Sequence, residues 1–465
     1  MPIDIPIVGA RSAVWITGQL HLFFAAFILG APIFVVICEW WGHRSRDERY
    51  ERLAHETMKV VLLAYGFTAI SGAAFGFALM GPYSDVMVHL FEKFGPLFGL
   101  YPLFFLIETV LAYLYCYTWG PLARRKGLHI LIGVALNVVG TVVMLLMNAV
   151  GAYMLTPPAS PESAGIWELV NNATWSGLNL HRFVANVTLG GFMVALFAAF
   201  MFLTAKTHDD RAFYDWMGFT GNFIGVATLM ALPLAGYVYS KEIFLYDATI
   251  ATFMMADKLS WFFVVQGLLV SLLFLGANYY MWVSIRRVTG AEPYRAYQRP
   301  TFTVILAASV VWMVPQNFLP DLVTTAPAGV AAQDIVIPER AAFLGLMMAK
   351  ALAVTAIILL TFLTYMCYRR AIARGTMRWG EIAPQAQYAL VFVPAVAVYT
   401  MGFMGAIREL ARQDWHVYNV LRDTTPYWYT TPLGHTGVMA GIATLVFFTV
   451  MAFIFWIGFK LGQAA

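Results

Sequence analysis

Charged residues are scarce in this chain. Only 12% of its 465 residues are Asp, Glu, Lys or Arg, whereas 60% are hydrophobic, and the mean hydropathy is +0.71. A soluble domain carries about 25% charged residues, so the composition argues against a soluble protein and favours many membrane spans. The net charge of +4 comes without a basic tract, so nucleic acid is not an expected partner.

Cysteine is rarer still, with three residues in the chain. The three cysteines, Cys38, Cys116 and Cys367, all lie in apolar runs and form neither a C-x-x-C nor a C-x-x-C-H motif. This pattern argues against covalently attached haem, a zinc site and a redox dithiol. We expect all three thiols to pack in the core.

Long apolar runs are abundant instead. Eleven runs approach the ~20 residues that cross a ~30 Å hydrocarbon core. They lie at about 12–40, 57–80, 97–119, 128–155, 181–205, 217–239, 259–284, 301–318, 340–367, 388–411 and 435–461. Arginine and lysine concentrate in alternate loops, such as 44–52, 124–126 and 369–378. The positive-inside rule therefore predicts an all-α polytopic transmembrane bundle of about 11 spans, with the N-terminus outside and the C-terminus in the cytoplasm.

Five side chains that ligate metals or ionise lie inside these runs or at their ends. They are His21, Glu108, His181, Met347 and Glu409. A charge at the centre of a bilayer costs roughly 2.5–3.5 kcal/mol or more, so such residues indicate function. At about 1.5 Å of rise per residue, all five fall in the outer half of the membrane, on different helices. This placement favours a buried cluster between facing helices, and His with Met is a familiar pair of axial haem ligands.

Each residue by itself has a simpler explanation. His21 is compatible with a packing hydrogen bond, Met347 with core packing, and Glu409 with an ion pair to Arg412. Glu108 is the hardest to explain in this way, because FFLIETVLAY surrounds it with apolar side chains. The hypothesis of a redox cluster therefore depends on the joint pattern.

Five segments, taken in order, resemble subunit I of the cytochrome bd-type oxidases. They are QLHLFFAAFILG, FGPLFGLYPLFFLIETVLAYLY, NLHRFVANVTLGGFMVALF, FLGLMMAKAL and RELARQDW, the last being similar to the E-x-G-R-Q-P-W signature. The family's haem-ligating histidine, inner glutamate, two low-spin haem ligands, glutamate ligand and signature arginine then map to His21, Glu108, His181, Met347, Glu409 and Arg412.

The resemblance implies a respiratory terminal oxidase subunit that reduces O2 to water with electrons from quinol. His181 and Met347 would ligate a low-spin haem b, while His21 and Glu409 would serve a high-spin pair, made of a haem b and either a haem d or a second haem b. Arg412 would pair with a haem propionate or with Glu409, and Glu108 would deliver protons. A bd-like second subunit, optional small accessory subunits, membrane lipid and a bacterial or archaeal inner membrane are also implied.

Several departures from the family leave the electron donor open. The family's quinol-binding loop is replaced here by two extra spans, Gly405 stands where a tryptophan is usual, and Asp414 replaces the proline of the signature. A single membrane domain, 1–465, is thus predicted to contain bd-like helices at 12–239, an insertion at 259–318 and further bd-like helices at 340–461. An external cytochrome c therefore stays an alternative to quinol.

Two other functions fit the same residues. The first is a haem b electron-transfer subunit of a larger respiratory complex that does not reduce oxygen. The second is a proton-coupled transporter in which the buried glutamate and histidines relay protons.

Overall fold

A computed structural model describes residues 10–255, 259–313, 348–423 and 433–464. Within these ranges the chain forms helices and one short antiparallel hairpin. The helices are α1 Ala10–Ser45, α2 Glu48–Met80, α3 Ser84–Tyr117, α4 Lys126–Leu155, α5 Ile166–Val170, α6 Trp175–Thr204, α7 His208–Leu229, α8 Leu232–Tyr246, α9 Ala248–Met255, α10 Ser260–Ser284, α11 Glu292–Arg295, α12 Gln298–Met313, α13 Met348–Arg374, α14 Pro384–Ala411 and α15 Leu433–Ala464. The hairpin pairs β1 Trp415–Val417 with β2 Leu421–Arg422. The predicted all-α polytopic bundle is confirmed.

Ten helical segments of the described residues are long and apolar enough to cross a membrane. The predicted sixth span is broken, since α7 ends at Leu229 and α8 restarts at Leu232 with Pro233 in its first turn, where a proline is tolerated. The predicted eighth span is described only as far as Met313, as the 16-residue helix α12. Its remaining residues lie outside the described ranges.

Helix α6 lies at the centre of the bundle because glycines let its neighbours approach closely. A Cβ on Gly30 of α1 would collide with the backbone carbonyl of Asn186, and a Cβ on Gly190 would lie 2.7 Å from the amide nitrogen of Ala31. On its other side, α6 meets α7 at Gly191. Such backbone contact is typical of helix packing in membranes, and it makes α1, α6 and α7 a rigid frame for the site.

A buried ion pair ties α7 to the C-terminal half of the chain. Arg287, just after α10, donates to Asp215 of α7 and to the hydroxyl of Tyr368 on α13. The backbone amide of Gly380 also donates to Asp215, at 2.9 Å. In the same half, α10 packs against α14, and α12 packs against α13. The division of the chain into bd-like and inserted parts stays a prediction.

Candidate functional site

His21 lies on α1 and faces α2. Its Nδ1 is 3.2 Å from the carbonyl oxygen of Thr68 and 3.5 Å from the hydroxyl of Ser71. A carbonyl only accepts hydrogen bonds, so Nδ1 carries the proton and Nε2 keeps its lone pair. Gly72 leaves room for the ring, because a Cβ there would lie 2.9 Å from the ring carbon Cε1. A backbone bond that fixes the tautomer is what a metal-ligating histidine requires.

His181 lies within α6, nearly two turns from its start, and not at the beginning of the helix as predicted. The difference arises because Trp175–Leu180, assigned to the preceding loop by their polarity, extend the helix outward. The ring packs against Gly236 and Tyr239 of α8, with 6.3 Å between the ring centroids of His181 and Tyr239. Its buried Nδ1 has no hydrogen-bond partner among the described residues.

Glu409 lies in the last turn of α14 and forms an ion pair with Arg412. The side chain of Arg412 is only 2% exposed, whereas that of Glu409 is 40% exposed. Arg412 also donates to the carbonyl oxygen of His416, while its buried Nε has no partner within the described ranges. The carboxylate thus has one oxygen held by Arg412, and the other accepts no hydrogen bond from the described residues.

Glu108 is buried on α3. Its Oε2 accepts a hydrogen bond of 3.4 Å from the hydroxyl of Tyr65 on α2. Its Oε1 faces Gly140 on α4, where a Cβ would lie 2.7 Å from it. The arrangement suits a carboxyl group that exchanges protons, since its one side-chain hydrogen-bond partner among the described residues is the Tyr65 hydroxyl.

Two arginines that the sequence analysis did not single out join these positions. Arg182, directly after His181, is close enough to act electrostatically on His21 and on Arg408. Arg408 donates at 2.8 Å to the carbonyl oxygen of Gly151. Neither guanidinium forms a salt bridge within the described ranges. In the sequence, each of these arginines could have been recognised because it stands directly beside a predicted ligand, Arg182 beside His181 and Arg408 beside Glu409.

We call His21, His181, Arg182, Arg408 and Glu409 the outer cluster. It contains more guanidinium than carboxylate groups, although it lies in an apolar bundle where unpaired charge is costly. Met347, the predicted partner of His181, lies outside the described residues.

The outer cluster fits haem better than a bare metal ion. Among the described residues, no group of three or more His, Cys, Asp or Glu side chains could hold an ion, whereas a haem iron needs only one or two protein ligands. The unpartnered Nδ1 of His181 and the unpaired guanidinium of Arg182 suit a ligand that is apolar at its centre and anionic at its edge. A haem with its propionates has this chemistry.

The fold and the site define a multi-pass membrane protein with a cation-rich ligand cluster toward one face of the membrane. A family model of cytochrome bd terminal oxidase subunit I matches residues 10–256. Because this match covers more than half of the chain, the protein belongs to the cytochrome bd terminal oxidase subunit I family. Haem cofactors, respiratory electron transport and pairing with a second subunit are properties of that family.

A solved structure supports the same fold. The bd oxidase from Geobacillus thermodenitrificans matches with a TM-score of 0.58 and 13% sequence identity, over 97% of each chain. At this identity the likeness shows the fold alone. No curated protein matches the chain.

Proposed function

We propose that the chain is the haem-carrying subunit of a bd-like terminal oxidase in a bacterial or archaeal plasma membrane. The observation that carries the proposal is the buried, unpartnered Nδ1 of His181 beside Arg182, a guanidinium that forms no salt bridge within the described ranges. Folding alone gives no reason to bury these groups together. A haem would supply the ligand for one and the counter-charge for the other.

The residues of the chain would then have distinct tasks. His181, with Met347 as its predicted partner, would hold a low-spin haem b, while His21 and Glu409 would each hold one haem of a high-spin pair. The second haem of that pair is a haem d or a further haem b. When bound, the haems supply electron transfer and oxygen reduction.

The polar residues around the haems would orient the ligands and supply charge to the site. The Thr68 carbonyl fixes the tautomer of His21, and Arg412 orients Glu409 through their ion pair. Arg182 and Arg408 would bind propionates through charge-assisted hydrogen bonds. Glu108 would take up protons and release them toward the site, a role that its burial and its contact with Tyr65 support.

The electron donor is quinol by family resemblance. If the helices α10 and α12 replace the family's quinol-binding loop, as the sequence comparison predicts, a cytochrome c docking on the outer loops is the competing donor. A bd-like second subunit, and small accessory subunits in some assemblies, would complete the complex.

The test is spectroscopy and oxygen consumption of the purified complex. We expect a low-spin haem b signal together with a carbon monoxide-reactive species, and oxygen consumption with quinol or with reduced cytochrome c. Absence of haem would refute the proposal and favour a proton-coupled transporter. A single low-spin haem with no carbon monoxide-reactive species would instead favour an electron-transfer subunit.

A further inference from the structure

A second buried polar cluster lies at the predicted cytoplasmic end of α1, α3 and α4. The side chains of Glu39, Tyr115 and His129 are fully buried. The carboxylate of Glu39 accepts from the Tyr115 hydroxyl at 2.6 Å, from His129 Nδ1 at 2.7 Å and from Lys126 Nζ at 3.2 Å. We call these four residues the inner cluster, and the proposed haem sites use none of them.

The hydrogen bonds of His129 leave one proton position in the inner cluster undetermined. Its Nε2 lies 2.8 Å from the backbone carbonyl oxygen of Tyr115, and a carbonyl only accepts, so Nε2 carries a hydrogen. Nδ1 then faces Glu39 with one proton between them, on either the ring or the carboxyl group. Both arrangements satisfy every partner, so the geometry accommodates one proton shared by the pair.

The inner cluster is connected to the surface on the cytoplasmic side. The side chain of Lys126 is 9% exposed, and it bridges Glu39 to Glu51, whose Oε2 lies 3.1 Å from Nζ. Glu51 is partly exposed in the first turns of α2. A continuous series of ionisable groups therefore leads from the surface to the buried pair.

The inner cluster and Glu108 lie along the same groove. On α3, Tyr115 is seven residues beyond Glu108, which is about 10 Å along the helix and the same face. Both side chains point to glycines of α4: the Tyr115 ring contacts Gly133, and Glu108 contacts Gly140. These glycines are also seven residues apart, so the spacing on the two helices agrees.

One amide lies between the two ends of this groove. Asn137 of α4 donates at 3.2 Å to the carbonyl oxygen of Pro32 on α1 and at 2.9 Å to that of Gly133. Its side-chain oxygen accepts no hydrogen bond from the described residues. Gly133 and Gly140 place no side chain in the groove, and its lining between Glu39 and Glu108 combines the Asn137 amide with Val36 and Leu29 of α1, which fill the space beside the two glycines.

We infer that Glu39 and His129 are the cytoplasmic proton-loading site of this subunit, from which protons pass along the α1–α3–α4 groove to Glu108. The inference rests on the proposed function, because the reduction of one O2 to two water molecules consumes four protons with four electrons. Each proton that leaves the Glu39–His129 pair is replaced by one from the cytoplasm through Glu51 and Lys126. The pair therefore returns to its starting state.

The experiment uses the whole complex, reduced with dithionite, freed of excess reductant and then mixed with oxygen, while a pH dye follows proton uptake. Glu39→Gln keeps the size and the acceptor oxygen of the side chain but removes its proton-binding carboxylate. We expect unchanged haem content and spectrum with proton uptake and oxygen consumption slowed about tenfold or more, since a positioned acid–base group contributes about 10²–10⁴-fold. Glu39→Asp should recover part of the rate.

An unchanged rate per haem in Glu39→Gln would overturn the inference. A loss of stability at an unchanged rate would mean that Glu39 has only a structural role. The matched control is Glu381→Gln, a half-exposed glutamate on the same side of the membrane that pairs with Arg378; equal slowing there would also contradict it. If Glu39→Gln fails to assemble, Tyr115→Phe, which removes only the hydroxyl, should still slow uptake, and no slowing would refute the site. A wild-type complex without haem or oxygen consumption would instead refute the proposed function.

Discussion

The outer and inner clusters differ in how many of their polar atoms have hydrogen-bond or ion-pair partners within the protein. In the inner cluster, Glu39 has three donors and both ring nitrogens of His129 are hydrogen-bonded. In the outer cluster, His181 Nδ1 has no hydrogen-bond partner and Arg182 forms no salt bridge within the described ranges. Both are buried among apolar helices, where an unsatisfied polar group costs free energy.

The difference indicates what each cluster is for. A polar group left unsatisfied by its own chain is expected where a ligand completes the site, as we propose for haem at the outer cluster. A cluster whose partners are all internal needs no ligand, and its remaining freedom is the position of a proton. A third buried pair, Asp215 with Arg287, lacks that freedom, since arginine does not release its proton, and its role is to hold the two halves together.

The largest expected effect is on the outer cluster itself. His181→Ala removes the only protein ligand of the proposed low-spin haem that the described residues contain, so we expect its absorbance band to disappear from reduced-minus-oxidised spectra. His208→Ala, on the opposite side of the membrane, should leave the spectrum intact. An unchanged spectrum in His181→Ala would remove the basis for this ligand assignment.

A smaller effect is expected from removing the guanidinium group of Arg182. Arg182→Gln removes a cation that favours the reduced, less positive haem, so the midpoint potential of that haem should fall by roughly 60 mV, a tenfold change for one electron. Redox titration followed by absorbance measures the shift. Arg124→Gln, in a cytoplasmic loop, serves as the control. Equal potentials in the wild type and Arg182→Gln would show that this guanidinium does not lie near a haem.

The smallest effect concerns the groove that leads from the inner cluster to Glu108. In Gly140→Ala the new Cβ would lie 2.7 Å from Glu108 Oε1, so the carboxyl group must move, at a cost of about 1 kcal/mol or more. We expect oxygen consumption per haem to fall severalfold with the spectrum unchanged. Gly127→Ala on the same helix has no atom within 4 Å of its Cβ and should be neutral. The comparison fails if both variants turn over at the same rate.

Sequence reasoning found Glu108 and the His21, His181 and Glu409 members of the outer cluster through the cost of burying such residues, but it did not find Arg182 or Arg408. His21, Glu108 and His181 stood out because polar groups in apolar runs need a reason, and these three lie within the segment that matches the family model. The same reasoning passed over Glu39 and His129, since each lies near a span end where solvation is the ordinary expectation. Their complete burial depends on Tyr115 and Trp119, whose rings stack on or against His129 at 4.6 and 4.7 Å.

Backbone details were also beyond the sequence. The break between α7 and α8 depends on how Pro233 is accommodated, and an apolar run with one proline is compatible with a continuous or an interrupted helix. Likewise, the start of α6 at Trp175 was hidden by polar residues that serve equally well in a loop or in a first turn.

The membrane class of the protein, its all-α architecture and the candidate ligands could all be predicted from residue order, because hydrophobic length and the cost of buried polar groups are properties of residues along a single helix. Which polar groups find hydrogen-bond partners became visible only in the folded bundle. Partners come from different helices, and their meeting depends on how closely those helices pack. That packing leaves Nδ1 of His181 without a hydrogen-bond partner among the described residues and gives both ring nitrogens of His129 a partner, although both are histidines in apolar spans.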